Sequence, residues 1–212
     1  MNTPAPLPSF QSRVVPVVVV TDPAQAVPMA EALLAGGVDV IEITLRSAAG
    51  LAAIEAVAKA VPAMQVGAGT VTRASEVAQV LNAGARFALS PGSTPALIDA
   101  VLQARLPFIP GVGSPSEAMA MRDAGFTLMK CFPAAQLGGV EVLKAWGGPL
   151  PDLRFCPTGG VSLANMAQFL ALPNVAMVGG SWLTPAAAVA AGDWAQITRL
   201  AREATEAVRA IV

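Results

Sequence analysis

The stretch Ala35-Gly36-Gly37-Val38-Asp39-Val40-Ile41-Glu42-Ile43-Thr44-Leu45-Arg46 contains the transition from a helix to a strand and towards the next helix. Glycine near its start accepts the left-handed conformation in which many helices end. A strand pattern follows, and a helical pattern begins soon after Arg46. The glycine signal recurs at Ala83-Gly84-Ala85-Arg86-Phe87 and at Ala124-Gly125-Phe126. This repetition predicts an α/β fold of βα units over a parallel sheet.

Strand and helix patterns alternate along the whole chain, and no linker interrupts them. We predict strands near residues 14–20, 38–44, 64–69, 86–90, 107–110, 126–131, 153–157 and 175–179. This count favours a closed (β/α)8 TIM barrel, whereas an open doubly wound sheet, which uses the same alternation, is the alternative. With 212 residues, the chain is expected to form one domain, residues 1–212, with a short N-terminal extension.

Several helix starts are marked by capping residues. Ser114-Pro115-Ser116-Glu117 matches a capping box with proline at the first helical position, and Asp22-Pro23 and Thr94-Pro95 repeat the cap followed by proline. Pro28 interrupts the first helical pattern, so the start of that helix stays open.

The composition indicates which kinds of partner the protein has. The net charge is −1 and no basic run is present, which argues against a nucleic-acid binder and favours small molecules. Hydrophobic residues make up 54% of the chain and charged residues 13%, a balance that favours an apolar oligomer interface. The apolar tract from Val14 to Val20 is far shorter than the roughly 20 residues that span a bilayer.

The expected location is the cytoplasm, without membrane attachment. Residues 1–6 lack the basic region and apolar core of a signal peptide. The only cysteines, Cys131 and Cys156, form neither a disulfide framework nor a recognisable metal site and are expected to be reduced.

The sequence contains no histidine and no tyrosine. This excludes Ser-His and Cys-His nucleophile pairs, histidine-ligated zinc and histidine acid/base catalysis. Acid/base chemistry therefore falls to a carboxylate, a lysine, a thiol or water.

Lys130 is one of three lysines and the only one that closes an apolar, strand-like run, residues 126–130. An ammonium ion is costly to bury unless it is paired or loses its proton. Burial lowers the pKa of lysines from about 10.4 towards neutrality, which gives the free amine that attacks a carbonyl carbon. Lys130 is therefore a candidate for Schiff-base formation, with a structural ion pair as the alternative.

Glu42 is the candidate carboxylate partner of Lys130. Period-two alternation puts Val40, Glu42 and Thr44 on one face of the strand, and barrel active sites lie at the carboxyl ends of the strands. Glu42 can therefore face the interior and either pair with Lys130 or move protons during imine formation and carbon–carbon cleavage. A purely structural ion pair is again the alternative.

Other strand ends carry weaker signals. The Thr70 hydroxyl after Gly67-Ala68-Gly69 is an available hydrogen-bond donor, and Pro91 is a candidate rigid wall, although simple turns explain both segments as well. Phe132 is a candidate substrate contact or a core residue. Cys131 alternates away from Lys130 and is expected to be an inert buried thiol.

Two glycine-rich turns follow the last two predicted strands. Thr158-Gly159-Gly160-Val161-Ser162 and Val178-Gly179-Gly180-Ser181 both precede helical patterns. Backbone N–H groups in such turns bind anions, and barrels often hold phosphate at these two loops. Ordinary βα turns are the alternative.

Together these segments resemble the 2-keto-3-deoxy-6-phosphogluconate (KDPG) aldolase family, whose activity overlaps with that of 4-hydroxy-2-oxoglutarate (KHG) aldolase. The resemblance covers nearly the whole chain and rests on Val15-Pro16-Val17, Glu42-Ile43-Thr44-Leu45-Arg46, Val66-Gly67-Ala68-Gly69-Thr70, Ser90-Pro91-Gly92, Lys130-Cys131-Phe132-Pro133, Arg154-Phe155-Cys156-Pro157-Thr158-Gly159-Gly160 and Gly179-Gly180-Ser181-Trp182.

The resemblance implies a class I aldolase, a lyase of the Entner–Doudoroff pathway, that reversibly cleaves KDPG to pyruvate and glyceraldehyde 3-phosphate. Lys130 would form the Schiff base, and Glu42 would be the acid/base that works through water. The implied substrate contacts are Arg46 and Thr70 at the carboxylate, Pro91 and Phe132 at the walls, Thr158 at a substrate hydroxyl, and Gly159, Gly160, Gly180 and Ser181 at the phosphate. A cytoplasmic homotrimer without cofactor or metal is expected.

Two rival functions stay open from the residues alone. A phosphate-binding isomerase or epimerase fits the same barrel, because a fold does not fix a reaction. A non-catalytic, trimer-forming metabolite-binding protein would leave Lys130 and Glu42 merely paired.

Overall fold

The structure is a computed structural model that describes residues 3–211; the predicted domain ends, residues 1, 2 and 212, lie outside them. The strands are β1 (Val14–Val18), β2 (Val40–Thr44), β3 (Gln65–Gly69), β4 (Phe87–Leu89), β5 (Phe108–Ile109), β6 (Gly111–Val112), β7 (Leu128–Cys131), β8 (Arg154–Pro157) and β9 (Val178–Gly180). The helices are α1 (Ala26–Ala35), α2 (Gly50–Ala60), α3 (Ala74–Asn82), α4 (Pro95–Ala104), α5 (Pro115–Asp123), α6 (Gly139–Gly147), α7 (Met166–Leu170), α8 (Ala186–Ala191) and α9 (Trp194–Arg209). One turn of 3-10 helix, Pro23–Gln25, precedes α1.

The strands pair in parallel and form two sheets, in the orders β5-β4-β3-β2-β1-β9 and β6-β7-β8. From β1 to β5 each strand lies beside its successor, without the central reversal of strand order that a doubly wound sheet has. The predicted α/β fold with parallel strands is confirmed.

The break between the two sheets occurs at Pro110, which lies between β5 and β6. Proline has no N–H group and cannot donate to the ladder. The Pro110 carbonyl still accepts a hydrogen bond from the Lys130 N–H at 2.8 Å. Beyond β8, at the other junction between the two sheets, isolated parallel bridges join Phe155 to Val175 and Thr158 to Gly179 of β9.

The predicted strands all occur, but the last one was misplaced. Residues 175–179 were expected, whereas β9 covers Val178–Gly180. Ala176 donates its N–H to the carbonyl of Phe155 in β8, and only at Val178 does the chain pair with the β1 side, through the Arg13 carbonyl. Local apolar character cannot reveal this change of partner.

The helix-end glycines behave as predicted: Gly37, Gly84 and Gly125 have φ values of +88°, +86° and +96°. The Asp22, Thr94 and Ser114 side chains all accept the expected capping hydrogen bonds.

Two further findings concern these helix starts. Pro28 stands in the first turn of α1, where a missing N–H costs little, and Glu117 accepts from the Gly113 N–H rather than closing the capping box.

Aromatic residues pack together at the amino end of β4. Phe87 is fully buried, and a Cβ on Gly67 would overlap its ring. The Phe10 ring, from the segment before β1, lies 5.8 Å from the Phe87 ring between centroids. The buried polar residues Thr44, Ser90, Lys130 and Thr158 lie at or near the opposite, carboxyl ends of their strands.

None of the helices within residues 3–211 combines the length and the apolar character that crossing a membrane requires.

Candidate active site

Lys130 and Glu42 form a buried ion pair. The Lys130 Nζ lies 2.8 Å from Oε1 and 3.1 Å from Oε2 of Glu42, and the side chains are 5% and 1% exposed. Glu42 stands on β2 between Val17 and Gly67 of the neighbouring strands, and Lys130 stands on β7. A buried charge of this kind depends on its partner, because loss of either leaves the other uncompensated.

Gly69 makes room for this pair. A Cβ at this position would overlap the Glu42 carboxylate, so a side chain there would displace it. Gly69 was not predicted to be a functional residue. The alternation in Gly67-Ala68-Gly69 was the available signal, because it turns both glycines towards the same interior face as Glu42.

The predicted site residues surround one cavity of about 310 Å³. Its lining contains every predicted residue except Glu42, which lies behind Lys130: Arg46, Thr70, Pro91, Lys130, Phe132, Thr158, Gly159, Gly160, Gly180 and Ser181. Val17 and Val161 also line it and were not predicted, since an apolar wall residue looks like any core residue in a sequence.

Two lining residues of the cavity carry side-chain hydrogen-bond donors without a partner among the described residues. Among residues 3–211, neither the Arg46 guanidinium nor the Thr70 hydroxyl has a hydrogen-bond partner, and Arg46 is solvent-exposed. Thr70 has φ of +60°, a conformation that β-branched residues rarely adopt. Such strain persists only where the surrounding structure holds it, and it is concentrated at functional sites.

The glycine turns supply a third group of donors. In the part of the chain that the structure describes, the N–H groups of Gly160, Val161 and Ser181 donate to no protein acceptor. Both turns precede helices, as predicted, although α7 begins only at Met166 and α8 only at Ala186, several residues after the glycines. Any anion here would be held by turn N–H groups rather than by a helix terminus.

The remaining predicted residues form walls. Phe132 is 37% exposed, and its ring centroid lies 5.8 Å from the Lys130 Nζ. Thr158 is buried after β8, and a Cβ on Gly179 would overlap its hydroxyl, so glycine is required beside it. Pro91 follows Ser90, whose hydroxyl accepts from the Gly111 N–H at 3.0 Å.

The two thiols are buried and protonated. Burial raises the pKa of Cys131 to about 12, and it does the same for Cys156, the register neighbour of Lys130. A thiol with so high a pKa is a poor nucleophile near neutral pH, in line with the expectation for Cys131. Neither thiol lines the cavity, and Lys130 carries the one amine among its described lining residues.

Comparison with known proteins identifies relatives along nearly the whole chain. The family model described as KDPG and KHG aldolase matches residues 9–200. A 2-dehydro-3-deoxy-phosphogluconate aldolase of Pseudoalteromonas atlantica is 53% identical over 194 residues, 92% of this chain and 90% of that protein. A KHG/KDPG aldolase of Escherichia coli K12 is 52% identical over 196 residues, 92% of each chain.

Solved structures agree with these matches. KDPG aldolase from Legionella pneumophila, with pyruvate captured at low pH as a covalent carbinolamine, superposes with a TM-score of 0.88 at 45% identity, over 90% of this chain and 93% of that one. KDPG aldolase of Zymomonas mobilis with 3-phosphoglycerate gives a TM-score of 0.86 at 42% identity, over 91% and 90%.

Proposed function

Because the chain belongs to the family of KDPG and KHG aldolases and is therefore a lyase, we propose that it reversibly cleaves KDPG to pyruvate and glyceraldehyde 3-phosphate. It also acts on 4-hydroxy-2-oxoglutarate, the second substrate in the family's name. The observation that carries the proposal is the buried pair of Glu42 and Lys130, in which Lys130 lines a cavity that also presents donors without a partner among the described residues.

Lys130 is the nucleophile in this proposal. Its amine adds to the C2 carbonyl of the substrate, and loss of water gives a protonated imine. When the C3–C4 bond breaks, the electron pair moves into the imine and leaves an enamine, while the C4 hydroxyl loses its proton and becomes the aldehyde. Protonation of the enamine at C3 and hydrolysis of the imine then release pyruvate and restore the amine.

Glu42 is the acid and base. Its carboxylate lies within hydrogen-bond distance of the Lys130 Nζ, so it can take the proton that the lysine must lose before attack. The same carboxylate, through a water molecule, passes protons for dehydration and accepts the proton of the C4 hydroxyl.

Arg46 and Thr70 bind the substrate carboxylate. A guanidinium presents two parallel N–H donors that match a carboxylate, and the Thr70 hydroxyl is free to add a third hydrogen bond. Fixing the carboxylate sets the distance between C2 and Lys130.

The phosphate occupies the glycine turns. Gly160, Val161 and Ser181 all line the cavity, their N–H groups donate to no acceptor among the described residues, and turn N–H groups of this kind bind anions. Gly159 and Gly180 allow the backbone to approach the phosphate closely. Thr158 binds a substrate hydroxyl. Pro91 and Phe132 enclose the carbon chain of the substrate. The substrate thus has an anion site for each of its charged ends.

The architecture, assembly and location are proposals as well. We infer that the two sheets are parts of one closed (β/α)8 barrel within a single domain, residues 1–212; the chain continuity at Pro110 and the bridge between Thr158 and Gly179 support closure. A cytoplasmic homotrimer is expected from the family and from the apolar composition. Light scattering after size exclusion tests the trimer.

A coupled assay tests the proposed function. KDPG is incubated with the purified protein, and released pyruvate is followed through the oxidation of NADH by lactate dehydrogenase. Cleavage by the native protein and none by a folded Lys130→Ala variant is the expected result. Binding of KDPG without release of pyruvate would overturn the proposal in favour of the metabolite-binding protein.

A further inference from the structure

The side chain of Asn165 is hydrogen-bonded to the glycine turn that follows β8. Its Oδ1 accepts from the Ser162 N–H at 2.8 Å, and its Nδ2 donates to the Gly160 carbonyl at 2.9 Å. Both bonds require the same orientation of the amide, because an N–H group only donates and a carbonyl only accepts. Asn165 therefore joins the two ends of the segment from Gly160 to Ser162.

This contact is not a helix cap. Asn165 stands at the N-cap position of α7, where asparagine ordinarily accepts a hydrogen bond from the first turn of the helix. Its side chain accepts no such bond. Asn165 also does not line the catalytic cavity; it lines a separate cleft, together with Gln168 and Phe169. The hydrogen bonds of its side chain go to the turn instead.

The turn depends on such contacts because its backbone is unusually free. Gly159 and Gly160 have φ values of +93° and +80°, and glycine adopts many other conformations as easily. The Ala135 N–H donates to the Gly159 carbonyl at 3.0 Å, a backbone contact that needs no side chain. Among the described residues, the Gly160 carbonyl accepts only from Asn165. This peptide is therefore the one that a single substitution can release.

The direction of the Gly160 carbonyl sets the direction of the Val161 N–H. The two groups belong to one planar, trans peptide, in which C=O and N–H point in opposite directions. A carbonyl held on Asn165 therefore turns the N–H away from Asn165, and Val161 lines the catalytic cavity. Rotation of this peptide would reverse the two groups, and the carbonyl oxygen would then repel an anion.

We propose that Asn165 is a positioning residue for the substrate phosphate and acts through the Val161 N–H without touching the substrate. This inference rests on the proposed function, which places the phosphate at the glycine turns. A hydrogen bond to a charged group changes affinity by about tenfold or more. Loss of Asn165 should therefore weaken the binding of phosphorylated substrate and spare ligands that lack a phosphate.

The first test compares Asn165→Ala with Gln168→Ala. Gln168 is an exposed residue that lines the same cleft and makes a matched control. Asn165→Ala should raise KM for KDPG by about tenfold or more, because the Gly160 carbonyl is no longer held. Pyruvate carries no phosphate, so its dissociation constant, measured by calorimetry, should stay unchanged. Gln168→Ala should change neither value. A merely structural role would instead weaken both ligands alike.

A second comparison isolates the donor. Asn165→Asp keeps an acceptor for the Ser162 N–H but sets a carboxylate oxygen against the Gly160 carbonyl, so KM for KDPG should again rise by about tenfold or more. Gln168→Glu controls for the added charge and should raise KM much less. This pair decides the question even where Asn165→Ala does not fold.

The outcomes separate this inference from the proposed function. Equal KM values in the Asn165 variants and their Gln168 controls would overturn the inference, and so would an equal loss of pyruvate affinity. Cleavage of KDPG by the native protein would uphold the aldolase in both cases. A native protein that does not cleave KDPG would instead overturn the proposed function, and the inference with it.

Discussion

The Nζ of Lys130 lies 2.8 Å from Oε1 of Glu42, although the two residues are 88 positions apart in the chain. They stand on β7 and β2, which belong to different sheets. The interior between the sheets therefore holds a carboxylate next to the only amine of the cavity wall, in the part of the chain that the structure describes. The proposed mechanism depends on this contact, because it lets Glu42 take a proton from Lys130 before the amine attacks a carbonyl.

Glu42→Gln should lose most of the activity and some stability, because the buried Lys130 ammonium loses its partner, so circular dichroism must show that the variant used is folded. The amide cannot accept the proton of Lys130 or return it to water, and general acid–base catalysis contributes about 10²- to 10⁴-fold. We expect kcat for KDPG cleavage to fall within that range. Glu55→Gln is the matched control, because Glu55 pairs with Lys59 on an exposed helix face and should not affect kcat. Unchanged kcat in Glu42→Gln would exclude the carboxylate from the chemistry.

Gly69→Ala should impair catalysis through Glu42. The added Cβ would overlap the carboxylate and displace it, and a misplacement of about 1 Å can cost about a hundredfold in rate. The expected change is in kcat rather than in KM. Gly92→Ala is the control, since a Cβ at Gly92 meets nothing within 4 Å. Equal kcat values for the two variants would show that Gly69 does not position Glu42.

Arg46→Lys should weaken substrate binding even though the charge is retained. An ammonium cannot form the two parallel hydrogen bonds that a guanidinium gives a carboxylate. Losing one charged hydrogen bond should raise the dissociation constant of pyruvate by about tenfold or more, as measured by calorimetry. Arg199→Lys, on the exposed face of α9, should leave it unchanged. An unaltered pyruvate affinity in Arg46→Lys would refute the assignment.

The buried thiols should make the protein sensitive to alkali. In the unfolded chain a cysteine ionises near its ordinary pKa of 9.0, whereas burial raises the folded pKa of both thiols to about 12. Above pH 9 the unfolded state therefore binds fewer protons, and the free energy of unfolding falls as the pH rises towards 12. At pH 10 the loss is about 1.4 kcal/mol for each thiol.

Urea unfolding at pH 7.5 and at pH 10 measures this loss. The native protein should lose more stability between the two values than a variant carrying both Cys131→Ala and Cys156→Ala. An equal loss in the two proteins would mean that the thiols ionise alike in the folded and unfolded states.

Much of the fold could be predicted because local signals repeat. The glycines before Val38, Ala85 and Phe126 and the capping residues Ser114 and Thr94 act within a few residues of the chain, so the sequence displays them directly. Strand pairing is not local. The interruption at Pro110 and the change of partner between Ala176 and Val178 depend on neighbours far along the chain.

The polar part of the site was predictable for a related reason. Lys130 and Glu42 are charged residues in apolar strands, which makes them conspicuous in any sequence. Gly69 was missed because the room left by an absent side chain has no signature in residue type. Val161 lies in the predicted anion-binding turn but was not named, because its side chain gives no signal of its own.

The most direct measurement is reductive trapping. The protein is incubated with pyruvate and sodium borohydride, and any adduct is located by peptide mass spectrometry, with Lys130→Ala as the control. A reduced pyruvyl adduct confined to Lys130 is the predicted result. No adduct in a folded protein that binds pyruvate would contradict the imine mechanism and transfer support to an isomerase or a binding protein.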